Sequence, residues 1–285
     1  MYSAACTYAL TLFRTARAAT LRLGLYGWLS AGERAGLSTR KWSLSTASSQ
    51  GWSTGCPHGR VLRLARVTET FHSAERRTDE YDDPALLEVD ALLVRMFALV
   101  CEGLSAATAA FLDGDRDIAR KVVAADREID DLQRLVEEKI ERRLTLGGPA
   151  KPREVRLLIS MLRIAPELER SGDLTEHIAL RTPQRLTAGL TPRARGLFAD
   201  MASTASALWV GAANAYSDRD PQRADELRRD DDALDDLHVE LTTELSRGET
   251  SIAAAIELGL VARFYERLGD HAVNVARRIR YLTDG

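Results

Sequence analysis

Apolar side chains recur at helical spacing along this chain from residue 84 almost to its end. In the first run, Leu86, Leu93 and Met96 fall whole helical turns apart, which places them on one face of a helix. Breaks at 113–115 (Asp-Gly-Asp) and 147–149 (Gly-Gly-Pro) divide the first half of the pattern. No stretch alternates between apolar and polar residues for long enough to indicate a β-strand. The pattern predicts an all-α protein.

The helical pattern occurs twice along the chain. The breaks in the two halves correspond, with Asp115-Arg116-Asp117 matching Asp218-Arg219-Asp220. The sequence predicts two tandem three-helix bundles, 71–183 and 184–285, because long helices joined by short breaks pack antiparallel. The six predicted helices cover about 84–112, 117–145, 152–183, 192–216, 222–245 and 251–281.

Residues 1–70 form an N-terminal extension that differs from the rest of the chain. This extension is rich in Ser, Thr, Arg and Gly, and it shows little sustained periodicity. We expect it to be mostly disordered, since it offers little that could be buried in register. Its Arg-rich, acid-poor composition is also typical of an organelle transit peptide. A further interpretation is that translation begins downstream, near Val67. On each interpretation, the chemistry lies elsewhere.

Charge is distributed unevenly between the extension and the main body. The formal net charge is -3, but residues 1–70 hold nine basic and two acidic side chains, which leaves thirty basic and forty acidic ones in 71–285. An acidic main body argues against a nucleic-acid partner and suits a cation or a basic protein surface. No apolar run approaches the roughly 20 residues of a membrane helix. The sequence therefore predicts a cytoplasmic protein without direct membrane insertion.

Paired carboxylates recur at matching places in the two halves. Glu169 and Asp173 lie four residues apart in the third predicted helix, and Glu266 and Asp270 repeat this spacing in the sixth. The i, i+4 spacing puts each pair on one helix face. That face continues a seam of small and apolar residues such as Ala165 and Leu162, so we expect it to be buried. The second helix of each half adds further pairs, which makes eight candidate metal ligands: Asp126, Asp130, Glu169, Asp173, Asp231, Asp235, Glu266 and Asp270.

Carboxylates that face one another repel and raise one another's pKa unless a cation lies between them. The cation could be a metal or a neighbouring arginine, and isolated pairs are often simply solvated. Hard oxygen ligands suit magnesium, manganese, calcium or iron. The three cysteines form no metal-binding spacing. His177 and Asn274 follow Asp173 and Asp270 by four residues and could extend the two ligand faces.

Other single residues have simpler interpretations. His238 lies three residues after Asp235, and His271 follows Asp270 directly. For both histidines, we expect a position on the surface. We expect Trp209 and Phe264 to be core residues.

Three stretches of the chain from about 84 to 285 resemble the PhoU family, the phosphate-specific transport system accessory proteins. The resemblance rests on the acidic motif at 126–132, on Leu-Glu-Arg-Ser-Gly-Asp at 168–173 and above all on 261–276. It covers about 200 residues. The first half departs from the second at two positions, where Leu174 corresponds to His271 and His177 to Asn274. The extension has no counterpart in the family.

This resemblance implies a cytoplasmic regulator of phosphate uptake and a negative regulator of the phosphate-starvation response. Such a protein is not an enzyme. It acts between the ATPase subunit of a phosphate ABC transporter and a sensor histidine kinase, often as a homodimer. The resemblance also implies that the acidic faces hold a multinuclear metal, with iron, manganese, magnesium or zinc as candidates.

Two other classes of protein compete with the regulator. One is a carboxylate-bridged metal enzyme or metal-storage protein of the ferritin-like kind. Such sites generally use Glu-x-x-His on two helices, a motif that neither half contains. The other is a helical scaffold whose acidic faces are neutralised by salt bridges.

Overall fold

The computed structural model describes residues 83–247 and 250–283. The expectations for the N-terminal extension, 1–70, and for the translation start near Val67 lie outside the described residues. No helix among the described residues is long and apolar enough to cross a membrane.

The described part of the chain is built from six long α-helices, so the predicted all-α fold of two tandem three-helix bundles is confirmed. The third helix ends earlier than predicted, and two short 3-10 turns, Thr182–Gln184 and Leu186–Gly189, lead into the fourth. The helices are α1 (Pro84–Asp113), α2 (Arg116–Leu146), α3 (Pro152–Ala179), α4 (Pro192–Asp218), α5 (Pro221–Leu245) and α6 (Ile252–Thr283).

Aspartate caps fix where the second helix of each half begins. The side chain of Asp115 accepts hydrogen bonds from the first turn of α2, and that of Asp220 does the same for α5. These caps satisfy backbone N–H groups that have no partner within the helix. The residue before each cap has a left-handed backbone, with φ of 73° at Gly114 and 53° at Arg219.

The caps correct the predicted alignment of the two breaks. By cap position, Asp115 corresponds to Asp220 and not to Asp218. This shift of two residues agrees with the acidic pairs, because it brings Asp126 into register with Asp231. The repeated Asp-Arg-Asp triplet does not mark equivalent positions, because Arg219 is the C-cap that follows α4 whereas Arg116 is the first residue of α2.

The three helices of each half pack against one another, and the halves meet along two helix pairs. The pair α1 and α4 is joined by buried Asp90, whose carboxylate accepts hydrogen bonds from Tyr216 at 2.8 Å and Arg219 at 2.9 Å. The second pair is α3 and α6. Trp209 is fully buried, as predicted, whereas Phe264 is only partly buried against the core.

Candidate metal centre

The first acidic cluster lies between α2 and α3, which pack side by side. Carboxylate oxygens of Asp126, Asp130 and Asp173 lie within 4.8 Å of one another. Each of the three is half-buried. Oxygen atoms at this separation can bind one cation or bridge two. The predicted acidic pairs of α2 and α3 thus converge in this half.

Burial and mutual repulsion perturb the first cluster. Burial, and after it the charges of the neighbouring carboxylates Glu176 and Asp173, raise the pKa of Asp126 to about 7. Burial, then Asp173 and Asp130, likewise raise the pKa of Glu169. Within the described residues, no ion pair links the four predicted ligands of this half to a basic side chain. The cluster therefore concentrates negative charge that the protein itself leaves largely uncompensated.

Gly172 lets the first cluster close. A Cβ at this position would lie 2.9 Å from Oδ1 of Asp126 and 2.8 Å from Cδ1 of Ile129. Both distances are shorter than real Cβ contacts, so a larger residue at 172 would force the side chains of Asp126 and Ile129 to shift, whereas glycine lets α2 and α3 pack without that change. The glycine inside the Glu-x-x-Gly-Asp motif thus serves the geometry of the site.

The second cluster repeats the arrangement between α5 and α6. Burial, and after it the charges of Asp235, Asp270 and Glu266, raise the pKa of Asp231 to about 7. Gly269 takes the place of Gly172, and a Cβ there would overlap Oδ1 of Asp231. The eight predicted ligands therefore fall into one group of four in each half, and among the described residues only Asp126, Asp130 and Asp173 bring three ligand atoms within 4.8 Å of one another.

Two oxygens of the second cluster lack the hydrogen-bond partners that buried carboxylate oxygens need. Oδ1 of Asp231 and Oε2 of Glu266 are buried and have no hydrogen-bond partner among the described residues. A buried carboxylate oxygen without a partner is costly. A hard metal ion would satisfy both atoms, since aspartate and glutamate oxygens are the ligands that such ions prefer.

An arginine neutralises part of the second cluster. Arg263 forms an ion pair with Glu266 one turn further along α6. The first half has Pro166 at the corresponding position and adds Glu176, where the second half has Val273. Arginine, the predicted alternative to a metal ion, therefore neutralises Glu266. The two clusters differ in charge for this reason.

The seam that carries the clusters is less buried than predicted. Ala165 is fully buried, but the side chain of Leu162 on the same face is 39 % exposed. Leu162 lines an open groove, and Asp235 and Asp270 of the second cluster are exposed, so the carboxylates keep part of their hydration. This exposure also leaves a path for a cation to enter.

The expected surface position of His271 is wrong. His271 is only 7 % exposed, and its Nδ1 lies 2.6 Å from Oε2 of Glu167 on α3. Asn274 donates to the same oxygen at 3.4 Å. These residues join α3 to α6, where a buried polar group needs a partner. Surface exposure was predicted for His271 from its neighbour Asp270, which is exposed.

The other residues proposed to extend the ligand faces are engaged in the same helix pair. The ring of His177 packs 5.6 Å from that of Phe264 on α6. Arg181 lies over the same ring and pairs with Glu257 at 3.0 Å. His177 and Asn274 thus serve the contact between the halves. Of the predicted surface histidines, His238 is half-exposed beside Asp235.

Sequence reasoning missed two acidic residues near the centre. Glu176 faces Asp126, and its position one turn after Asp173 on the same helix was the available signal. Glu167 had no local signal, because its partners lie on α6.

The fold and the two clusters define a class of protein: an all-helical protein of two three-helix repeats, each with a carboxylate cluster between its second and third helices. The family model for the PhoU domain matches the chain twice, over residues 93–182 and 198–279. The chain belongs to the PhoU family.

Curated relatives and solved structures agree with this assignment. The chain is 34 % identical over 206 residues to the phosphate-specific transport system accessory protein PhoU homolog 2 of Mycobacterium tuberculosis, covering 70 % of this chain and 95 % of the relative. Homolog 1 of the same organism is 35 % identical over 203 residues, covering 70 % and 91 %. The crystal structure of PhoU from Pseudomonas aeruginosa superposes with a TM-score of 0.66 at 28 % identity, covering 70 % of this chain and 98 % of that one.

Proposed function

We propose that this protein is an accessory regulator of a phosphate-specific transport system and that it represses the phosphate-starvation response when phosphate is plentiful. The observation that carries the proposal is the duplicated carboxylate cluster in a chain of the PhoU family. The names of the mycobacterial relatives supply the transport system. The protein acts by binding and not by catalysis.

In this proposal the protein is a cytoplasmic adaptor. It connects the ATPase subunit of a phosphate ABC transporter with a sensor histidine kinase, and it works as a homodimer. The excess of acidic side chains in 71–285 supports docking to basic surfaces of these partners.

Metal binding is the second part of the proposal. The ligands are Asp126, Asp130, Glu169 and Asp173 in the first half, and Asp231, Asp235, Glu266 and Asp270 in the second. An all-oxygen donor set favours iron, manganese or magnesium over zinc. The bound ions would cancel the repulsion within each cluster and hold α2 against α3 and α5 against α6.

A reporter of the starvation response tests the regulatory role. Cells lacking the gene and grown in ample phosphate should show high alkaline phosphatase activity, because repression is lost. The full chain supplied from a plasmid should return the activity to its low level. Low activity in the deletion strain would contradict the proposal, provided that no second PhoU gene is present; a strain lacking every such gene is therefore the proper background.

A further inference from the structure

A groove with a volume of about 440 Å³ lies beyond the first cluster, between the C-terminal half of α2 and the N-terminal half of α3. It opens on the same faces of these helices as the acidic cluster, since Glu137 follows Asp130 by two helical turns. Its lining consists of Glu137, Ile140, Glu141, Leu144, Thr145 and Leu162.

Two leucines of the groove remain accessible. Leu144 is 46 % exposed and Leu162 is 39 % exposed, and both border the same groove above buried Ile140. Single exposed leucines are common on soluble proteins. Two leucines from different helices that line one groove form an apolar contact surface, and such surfaces mark binding sites.

The rim of the groove is acidic. Glu137 and Glu141 line it, and none of its six lining residues is basic. Burial, Asp173 and Asp130 are the main causes of the raised pKa of Glu169, and Glu137 makes a smaller contribution. The groove and the first cluster therefore share one negative field. An apolar floor with acidic rims is complementary to a segment that is apolar on one side and basic beside it.

The second half has different residues at the positions of Glu137, Glu141 and Leu162. In the register set by the caps, Glu137 and Glu141 correspond to Thr242 and Ser246. In the register set by the Glu-x-x-Gly-Asp motifs, Leu162 corresponds to Gly259. Both halves form the same three-helix unit, so the fold of a repeat does not require the leucine or the glutamates. The second half exposes other apolar side chains, Ile256 and Leu260 on α6, so the first half is distinguished by the combination of leucines and glutamates that lines the groove.

We propose that this groove binds a short amphipathic helix of a partner protein, with leucine-sized side chains placed against Leu144 and Leu162. Positions 137 and 144 are two helical turns apart, about 10 Å along α2. The bound helix therefore carries lysine or arginine about one and about two turns from its apolar side chains, facing Glu141 and Glu137. The inference rests on the proposed adaptor role only in assigning the helix to a partner protein.

The test measures binding of a designed probe by fluorescence anisotropy. The probe is a fluorescein-labelled peptide of about 14 residues, long enough to form helix on binding, made of alanine, leucine and lysine with the spacing given above. The control peptide has serine in place of leucine and the same charge. The full chain should bind the leucine peptide at least about tenfold more tightly than the serine peptide, a difference of about 1.4 kcal/mol.

Matched variants locate the binding site. Leu144→Ser with Leu162→Ser should weaken binding of the leucine peptide about tenfold, because the apolar contact is lost. Glu137→Gln with Glu141→Gln should weaken it and reduce its dependence on salt. Leu180→Ser is the control, because Leu180, the residue that follows α3, is 49 % exposed but lies outside the groove; it should leave the affinity unchanged.

Three results would overturn the inference. They are equal affinity for the two peptides, equal weakening by Leu180→Ser, and a dimer in sedimentation that dissociates when Leu144 and Leu162 are replaced, which would assign the groove to a second copy of the chain. None of these results decides the reporter assay, so a failure here is distinguishable from a failure of the proposed function.

Discussion

Without metal, the protein will lose stability as the pH rises from about 5 to about 8. Burial, and after it repulsion by neighbouring carboxylates, raises the pKa of both Asp126 and Asp231 from 3.8 to about 7. Between these values the folded chain keeps protons that the unfolded chain has released, so the free energy of unfolding falls as the pH rises. Both carboxyls are partly solvated, so we expect a combined loss of about 2 kcal/mol, or about 4–8 °C in melting temperature.

Thermal unfolding in the presence of a chelator, followed by circular dichroism, measures this loss. Asp126→Asn with Asp231→Asn should flatten the pH dependence and raise the melting temperature at pH 8, because the repulsion is gone. The control is Asp131→Asn with Asp236→Asn, which changes exposed carboxylates on the same two helices and should keep the slope. Saturating Mn²⁺ should restore wild-type stability at pH 8. Equal or greater stability of the metal-free wild type at pH 8 would contradict the account.

The pH range of this comparison has a lower limit set by Glu167. Burial raises the pKa of this carboxyl, but its hydrogen bond to His271 and the charge of that ring outweigh burial and lower it below 4.5. A lowered pKa gives stability that is lost as the pH falls through the folded value. Measurements that start at pH 5 therefore keep the two opposite effects apart.

Gly269→Ala will destabilise the second half and weaken its metal binding. The new Cβ would overlap Oδ1 of Asp231 and lie 2.7 Å from Cδ2 of Leu234. Either α5 moves away from α6 or the carboxylate turns out of the cluster, and overpacking of this kind costs about 1–3 kcal/mol. Gly172→Ala should act in the same way on the first half. Thermal unfolding and metal titration of each variant measure the two effects.

Gly259→Ala is the matched control for these substitutions. Gly259 lies in the same helix as Gly269, but a Cβ there meets nothing within 4 Å. Alanine should therefore stabilise α6 by about 0.5–1 kcal/mol through its higher helix propensity. Destabilisation by all three alanines, or by none, would show that the close approach of α2 to α3 and of α5 to α6 does not depend on glycine.

The helices were predictable from local signals. Apolar periodicity, proline at the first turn and the Asp-Gly-Asp break are local signals. Each involves residues that are near one another in the sequence and acts within one or two helical turns. The end of α3 was harder to predict. The apolar pattern fades gradually there, and the 3-10 turns that begin at Thr182 follow without a strong stop signal. The alignment of Asp115 required the caps themselves.

The acidic clusters were predictable because the i, i+4 spacing and the duplication are local features of the sequence. The ion pair between Arg263 and Glu266 was not predictable, because arginine occurs near most acidic residues of this chain and only side-chain geometry selects a partner. The burial of His271 depends on Glu167, whose position beside it follows from the packing of α3 on α6. No periodicity within one helix encodes which face meets another repeat.

The central claim is that both carboxylate clusters bind metal. Its most direct test is the metal content of purified protein, measured by inductively coupled plasma mass spectrometry after loading with iron, manganese or magnesium. We expect the wild type to bind metal in both halves. Glu169→Ala with Asp173→Ala should remove the metal of the first cluster, and Glu266→Ala with Asp270→Ala that of the second, while the helical circular dichroism signal persists. Wild-type metal content in the variant that combines all four changes would contradict the account.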